Sequence, residues 1–284
     1  MLQAADVWFG YEAAVPVLRG ISLAVVPGAI VGILGPNGSG KTTLLRLLAG
    51  TRHPQRGAIT LNGAPLGRFS RAALARRMAV VPQETHLAFD YTVAEVAMMG
   101  RYPHLGAFEI EGPSDIEVVD EALDATGTLP LKHRPFATLS GGEKQRVVIA
   151  AALAQIVRLP GHRSLHEGGQ AEETDEGFLL LDEPTASLDL AYQLEIAALL
   201  KRLRDERHVA IVISTHDLAL AATLCERIAL IRTGEIVAEG PTAEALTRER
   251  IRQVYGVEAD IFTHASGQRI IVPIRRAPNG RPDA

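Results

Sequence analysis

The stretch Gly35–Thr42, GPNGSGKT, sits between the apolar run AIVGIL (Ala29–Leu34) and the segment TLLRLLAG. It fits the spacing G-x-x-x-x-G-K-[ST], and the chemistry explains that spacing. Glycines let main-chain N–H groups turn inward with no Cβ in the way. Those N–H groups and the positive end of the helix that follows bind phosphates. Lys41 reaches the terminal phosphates, and the Thr42 hydroxyl is placed to coordinate Mg²⁺. A strand before the loop and a helix after it reject the bland alternative, a glycine-rich turn.

Working outward, two more short apolar runs lack polar alternation: FLLL (Phe178–Leu181) and VAIVIS (Val209–Ser214). Such runs suit strands of a parallel sheet covered on both faces. A helical pattern follows each, in AYQLEIAALLKRLRDER and DLALAATLCER, so the chain predicts an α/β core. Leu2 to Val26 reads as short strands. Pro103 to Gln155 reads mainly as helices, one opened by an S-x-x-E capping box at Ser114 and Glu117 and another starting near Gly141. The segment after Leu159, PGHRSLHEGGQAEETDEG, reads as an exposed polar loop; its composition argues against a helix that would make His162 and His166 a metal pair. The tail after Ile271 is expected to fray.

Composition excludes several classes. The 284 residues carry a formal net charge of -4, with no footprint for nucleic acid or an anionic membrane surface. A single cysteine, Cys225, permits no disulfide framework. The first residues, MLQAADVWFGYE, lack the basic start and apolar core of a signal peptide. The uncharged run Gly20–Gly40 is interrupted by Pro27, Gly28, Pro36 and Asn37, and Val147–Val157 is too short to span, so a soluble chain is expected.

Two further stretches carry chemistry. In LLLDEPTASLD (Leu179–Asp189), Asp182 ends an apolar strand, as a carboxylate that organises Mg²⁺ should. Glu183 follows, and a carboxylate there can polarise a water for attack on a γ-phosphate. In LSGGEKQR (Leu139–Arg146), Ser140, Gly141 and Gly142 offer a hydroxyl and bare N–H groups at a helix start, a second anion site. One nucleotide seldom needs both sites unless two chains share it.

Together these stretches resemble the nucleotide-binding subunit of an ABC transporter. Walker A is GPNGSGKT, covering Gly35, Pro36, Asn37, Gly38, Ser39, Gly40, Lys41 and Thr42, with Thr43 beside it. Walker B is FLLLD followed by Glu183; the signature is LSGGE; the Q-loop holds Gln83 in VVPQET; the D-loop is SLD; the H-loop holds His216 in ISTHD. The resemblance implies a P-loop NTPase (RecA-like) α/β core with an inserted helical subdomain and an N-terminal antiparallel β subdomain. It implies an ABC ATPase domain over 1–256, its helical subdomain at about 86–160, and a short C-terminal extension over 257–284. It also implies ATP and Mg²⁺ as ligands and a homodimer with each ATP between Walker A of one chain and Ser140 and Gly142 of the other. By the same resemblance Tyr11 stacks on adenine, Gln83 touches Mg²⁺ and the attacking water, His216 contacts the γ-phosphate, Glu183 is the base, and Asp189 supports the site across the dimer. Glu143, where the family often has Gln, is expected to point away from the phosphates, since like charges repel, and not to touch Ser140 or Gly142. His53, His86, His104, His133, His208 and His264 lack such context and read as solvated or locally bonded.

TVAEVAMMGRYPHLG (Thr92–Gly106), SLDLAYQ and VYGVEADIFTHASGQRIIVPI are similar to the importer branch for iron–siderophore, haem and cobalamin. That branch implies a separate membrane permease dimer facing Glu84–Gly106, a periplasmic or surface substrate-binding protein, and a peripheral position on the cytoplasmic face of the inner membrane. Exporter ATPases, soluble ABC ATPases and a nucleotide-regulated binding module without turnover, the last opposed by the presence of both Glu183 and His216, stay open as alternatives. The first are usually fused to membrane helices; the second usually carry two cassettes or a coiled-coil insertion.

Overall fold

A computed structural model describes residues 1–12, 15–85, 87–156, 177–186, 188–265 and 269–277. In chain order, β1 (Leu2–Phe9), β2 (Leu18–Val25) and β3 (Ile30–Leu34) precede helix α1 (Lys41–Leu48), β4 (Arg56–Leu61) and β5 (Ala64–Pro65). Then come α2 (Arg71–Ala75), β6 (Met78–Val81), α3 (Val93–Met98), a 3-10 segment (Met99–His104), α4 (Pro113–Ala125) and α5 (Gly141–Ile156). β7 (Phe178–Asp182), α6 (Leu190–Arg207), β8 (Ala210–Thr215), α7 (Leu218–Leu224), β9 (Arg227–Arg232) and β10 (Glu235–Pro241) follow. The chain closes with α8 (Thr242–Ala245), α9 (Arg248–Tyr255), β11 (Val257–Thr263) and β12 (Arg269–Arg276). The three apolar runs thus form strands, and the segments after them form helices.

Two compact units emerge. The first holds residues 1–69, 180–184 and 210 onward. Its antiparallel sheet runs β2-β1-β4-β5, and β1 alternates buried and exposed residues as a half-covered strand should. Its second sheet runs β10-β9-β3-β8, with the end of β7 beside β8. β3 and β8 are buried at every position, as strands covered on both faces must be. They pair parallel from Ile30↔Ile211 to Leu34↔Thr215, so the loops that leave them begin at one edge of the sheet. Ligands of open α/β sheets bind outside that edge.

The second unit holds residues 70–179 and 185–209. Helices α3, α4 and α5 pack on one another, and α5 packs on β6. Val118, Val119, Leu123, Val147, Ile149 and Leu153 are buried in it.

Two expectations need correcting. The cap of α4 is Gly112, whose N–H donates to Asp115 Oδ2 at 3.0 Å. Pro113 takes the first helical position, where its fixed φ suits the helix, which puts Ser114 inside the first turn rather than at the cap. The chain beyond Ile271 also does not fray at once. β12 continues to Arg276, antiparallel to β11, with Ile271 and Ala277 buried and Arg275 Nε donating to Glu258 at 2.7 Å. β12 contains Pro273, which an outer strand of a two-stranded sheet tolerates. The pair His162 and His166 lies outside the described residues. Among the described residues no helix is long and apolar enough to cross a membrane.

Candidate nucleotide site

The phosphate loop leaves β3 at Gly35 and enters α1 at Lys41. Gly40 precedes the helix with φ +106, a left-handed conformation that a side chain would resist. Among the described residues no side chain caps this helix, and uncapped N–H groups at a helix start suit an anion. Ser39 Oγ is buried without a hydrogen-bond partner among the described residues, which marks the loop as built for a guest of its own. Lys41 is buried, and its Nζ donates to Gly35 O at 3.0 Å and to Pro36 O at 3.2 Å. Pro36, Asn37 and Gly38 form the outer turn of the loop.

Lys41 Nζ also lies 3.4 Å from Glu183 Oε1. His216 Nδ1 lies 3.1 Å from Glu183 Oε2, so the loop lysine, the carboxylate after β7 and the histidine after β8 form one chain of contacts. Glu183 holds φ +47, uncommon for a residue with a Cβ, and its N–H donates to Ser214 O at 3.0 Å. Such a backbone persists only where the surroundings fix it, here by the neighbouring strand β8.

Thr42 Oγ1 donates to Asp182 Oδ1 at 3.1 Å, and Ser214 Oγ donates to the same oxygen. A hydroxyl and a carboxylate beside a phosphate loop form an all-oxygen donor set, the kind Mg²⁺ takes when phosphates and waters complete its shell. Among the described residues no cluster of three His, Cys, Asp or Glu competes as a metal centre.

Tyr11 is exposed and meets the first turn of α1. Its hydroxyl lies 3.3 Å from Thr43 Oγ1 and accepts from Arg46 Nη1 at 3.2 Å. The Arg52 guanidinium lies 6.0 Å from the ring centroid, and Phe9 meets the ring edge-on at 5.2 Å. The Thr43 hydrogen bond and the two arginines hold the phenol below its ordinary pKa against the opposing pull of burial.

The signature belongs to the second unit. Ser140 and Glu143 form a capping box at the start of α5: Glu143 N–H donates to Ser140 Oγ at 3.3 Å, and Ser140 N–H donates to Glu143 Oε2 at 2.8 Å. This corrects the expectation that Glu143 does not touch Ser140. The helix start attracts its carboxylate locally, and the Ser140 N–H bond leads the interactions that hold its pKa below the usual range. Gly142 is buried against the Tyr192 ring, which a Cβ there would meet at 2.2 Å; Gly141 is exposed. Asp189 caps α6, its Oδ1 accepting from Tyr192 N–H at 3.1 Å. Gln83 is exposed in the loop after β6.

Sequence reasoning missed Ser214, Arg46 and Tyr192. Ser214 was legible as the polar interruption of an apolar strand, and Arg46 as the residue one turn after Thr42. Nothing in the local sequence ties Tyr192 to Gly142.

Comparison with known proteins follows this geometry. The ABC transporter family profile matches residues 18–159. The hemin import ATP-binding protein HmuV of Bordetella pertussis is 40% identical over 249 residues, 88% of this chain and 90% of that protein. The protein of the same name from Myxococcus xanthus is 37% identical over 283 residues, 98% of this chain and 97% of its own length. Among solved structures, an inward-facing metal-chelate type ABC transporter superposes with TM-score 0.79 at 27% identity, covering 96% of each chain. A dimeric structure of the bacterial ABC transporter cassette MJ0796 gives TM-score 0.67 at 26% identity, covering 85% of this chain and 99% of that one.

Proposed function

Because the chain belongs to the ABC transporter family and is an ATPase, we propose that it is the ATP-hydrolysing subunit of an importer that takes up a metal chelate. Haem is the first candidate cargo, since the two HmuV relatives named above are hemin import ATP-binding proteins; an iron–siderophore and cobalamin are the others. The observation that carries the reading is the contact chain Lys41–Glu183–His216 at the mouth of the phosphate loop, which gathers a phosphate-binding cation, a base and a γ-phosphate contact.

In this reading the main chain of Gly35–Thr43 and Lys41 hold the β- and γ-phosphates, and Tyr11 stacks on adenine. Thr42, Asp182 and Gln83 would hold Mg²⁺, which when bound supplies charge neutralisation to the phosphates. Glu183 orients and polarises the attacking water, and His216 positions the γ-phosphate. Ser140, Gly141 and Gly142 of a second copy close over the same ATP, with Asp189 supporting the site across the dimer. The negative charge of two ATPs is then neutralised by groups from both chains. Binding closes the pair and hydrolysis opens it, a ligand-biased two-state element. Through a membrane permease dimer, fed by a substrate-binding protein, that cycle would drive import from the cytoplasmic face of the inner membrane.

Uptake tests the reading. A strain lacking this chain should lose growth on haem as sole iron source and regain it with the wild-type chain but not with Glu183→Gln. Rescue restricted to a siderophore or to cobalamin would reassign the cargo. Unimpaired uptake of all three would refute the importer.

A further inference from the structure

Helix α5 presents Ser140 at its start, and its other end is held by residues from elsewhere in the chain. A helix leaves its last four carbonyls without internal partners. Two of these at the end of α5 are taken by the Met99–His104 segment: Arg101 Nη1 donates to Ala154 O at 2.6 Å, and His104 Nε2 meets Gln155 O at 2.8 Å. Burial, seconded by Arg101 and Arg76 and opposed by the bond to the Gln155 carbonyl and by Asp115, holds the His104 pKa down to about 4. The ring is therefore neutral at neutral pH, and its Nε2 proton is the one the carbonyl receives. Arg101 is itself buried, its Nε 2.9 Å from Asp115 Oδ1, and its charge complements the negative end of the helix. Close contact needs Gly100, where a Cβ would come within 2.1 Å of Ala151 O.

The same helix end has a second grip. The Gln155 side-chain amide donates to Ala75 O at 2.8 Å and to Met78 O at 3.0 Å. Met78 opens β6, and β6 ends at Val81, just before Gln83. One side chain thus ties the end of the signature helix to the root of the strand that leads to the Q-loop.

We propose that Arg101, His104 and Gln155 are positioning residues that clamp the far end of α5 and so set the direction in which Ser140 meets the nucleotide. The inference rests on the shared site proposed above. A helix of 16 residues is a rod of about 24 Å. A tilt of about 10° at its end moves its start by about 4 Å, and a misplacement of about 1 Å can cost a hundredfold in rate. The Arg101 bonds are buried and those of His104 and Gln155 partly so, and all converge on one helix end, so the clamp is expected to hold or release as a unit.

The test compares Gln155→Leu, His104→Leu and His104→Gln in the full chain. Nucleotide titration, steady-state ATP turnover and thermal melting are measured for each. The two leucine variants should lower kcat by about tenfold or more while the ATP Kd stays within about twofold. His104→Gln, whose amide can donate to the same carbonyl, should return kcat to within about threefold of wild type. With Glu183→Gln added, the leucine variants should need about tenfold more protein than the single variant to pair in ATP. If all three variants melt lower but turn over ATP at the wild-type rate per folded molecule, the clamp is only structural and the inference falls. If Glu183→Gln alone fails to pair, the shared site fails and the inference falls with it; wild-type turnover in the leucine variants while Glu183→Gln still pairs overturns the clamp alone.

Discussion

Lys41 and Glu183 form an ion pair, Nζ to Oε1 3.4 Å, at the point where the phosphate loop faces the end of β7. Both side chains are largely buried, and the lysine is also bonded to two loop carbonyls. In the proposed reading, a triphosphate that recruits Lys41 draws it from the carboxylate proposed as base, so the displacement that accompanies binding would free Glu183 for water.

Glu183→Gln should therefore separate two effects. Removing a base costs about a hundredfold or more in turnover. Losing the competing carboxylate leaves ATP affinity unchanged or slightly higher. Phosphate release and nucleotide titration check both; turnover within threefold of wild type would refute the assignment.

Tyr11 is held by Thr43 and Arg46 with its ring exposed. Tyr11→Ala should weaken ATP binding by about tenfold, on the scale of an aromatic stacking contact. Tyr11→Phe keeps the ring and should stay within a few-fold. Equal losses in the two variants would place the effect in the hydroxyl rather than in stacking.

Glu143 puts a carboxylate on the Ser140 N–H, at the helix start proposed to meet a phosphate. Glu143→Gln can accept the same N–H through its amide oxygen while removing the charge. Relief of a like-charge repulsion screened largely by water, of order 1 kcal/mol, should lower the ATP concentration for half-maximal turnover by about fivefold. A rise would show that the carboxylate assists closure.

His104 makes stability depend on pH. Its pKa is held near 4 by burial, against about 6.5 in an unfolded chain. Between those values the unfolded chain takes up a proton that the fold refuses. The stability present above pH 6.5 is therefore lost as the pH falls toward 4. From pH 7.5 to 5, the melting temperature of the wild type should fall by a few degrees more than that of His104→Gln. Parallel curves would refute this.

Much of this was legible in the sequence because it is local. The phosphate loop, the buried strands and the two carboxylates each follow from a few adjacent residues. The start of α3 was equally open to reading: Thr92 and Glu95 form a capping box of the spacing sought at Ser114. The capture of Glu143 by Ser140 is local too, an S-x-x-E spacing at a helix start, and was passed over in favour of a distant phosphate repulsion. What could not be read depends on tertiary pairing. The roles of Arg101, His104 and Gln155 appear only once α5 ends beside a segment far from it in the chain.

The central claim is that ATP joins two copies of this chain through the lysine loop of one and the signature of the other. The mass of the Glu183→Gln protein in saturating ATP tests it directly, by sedimentation at equilibrium. The account predicts twice the chain mass of 30.5 kDa with ATP, reverting to a single chain when Ser140→Arg is added. A single-chain mass with ATP fully bound would contradict it.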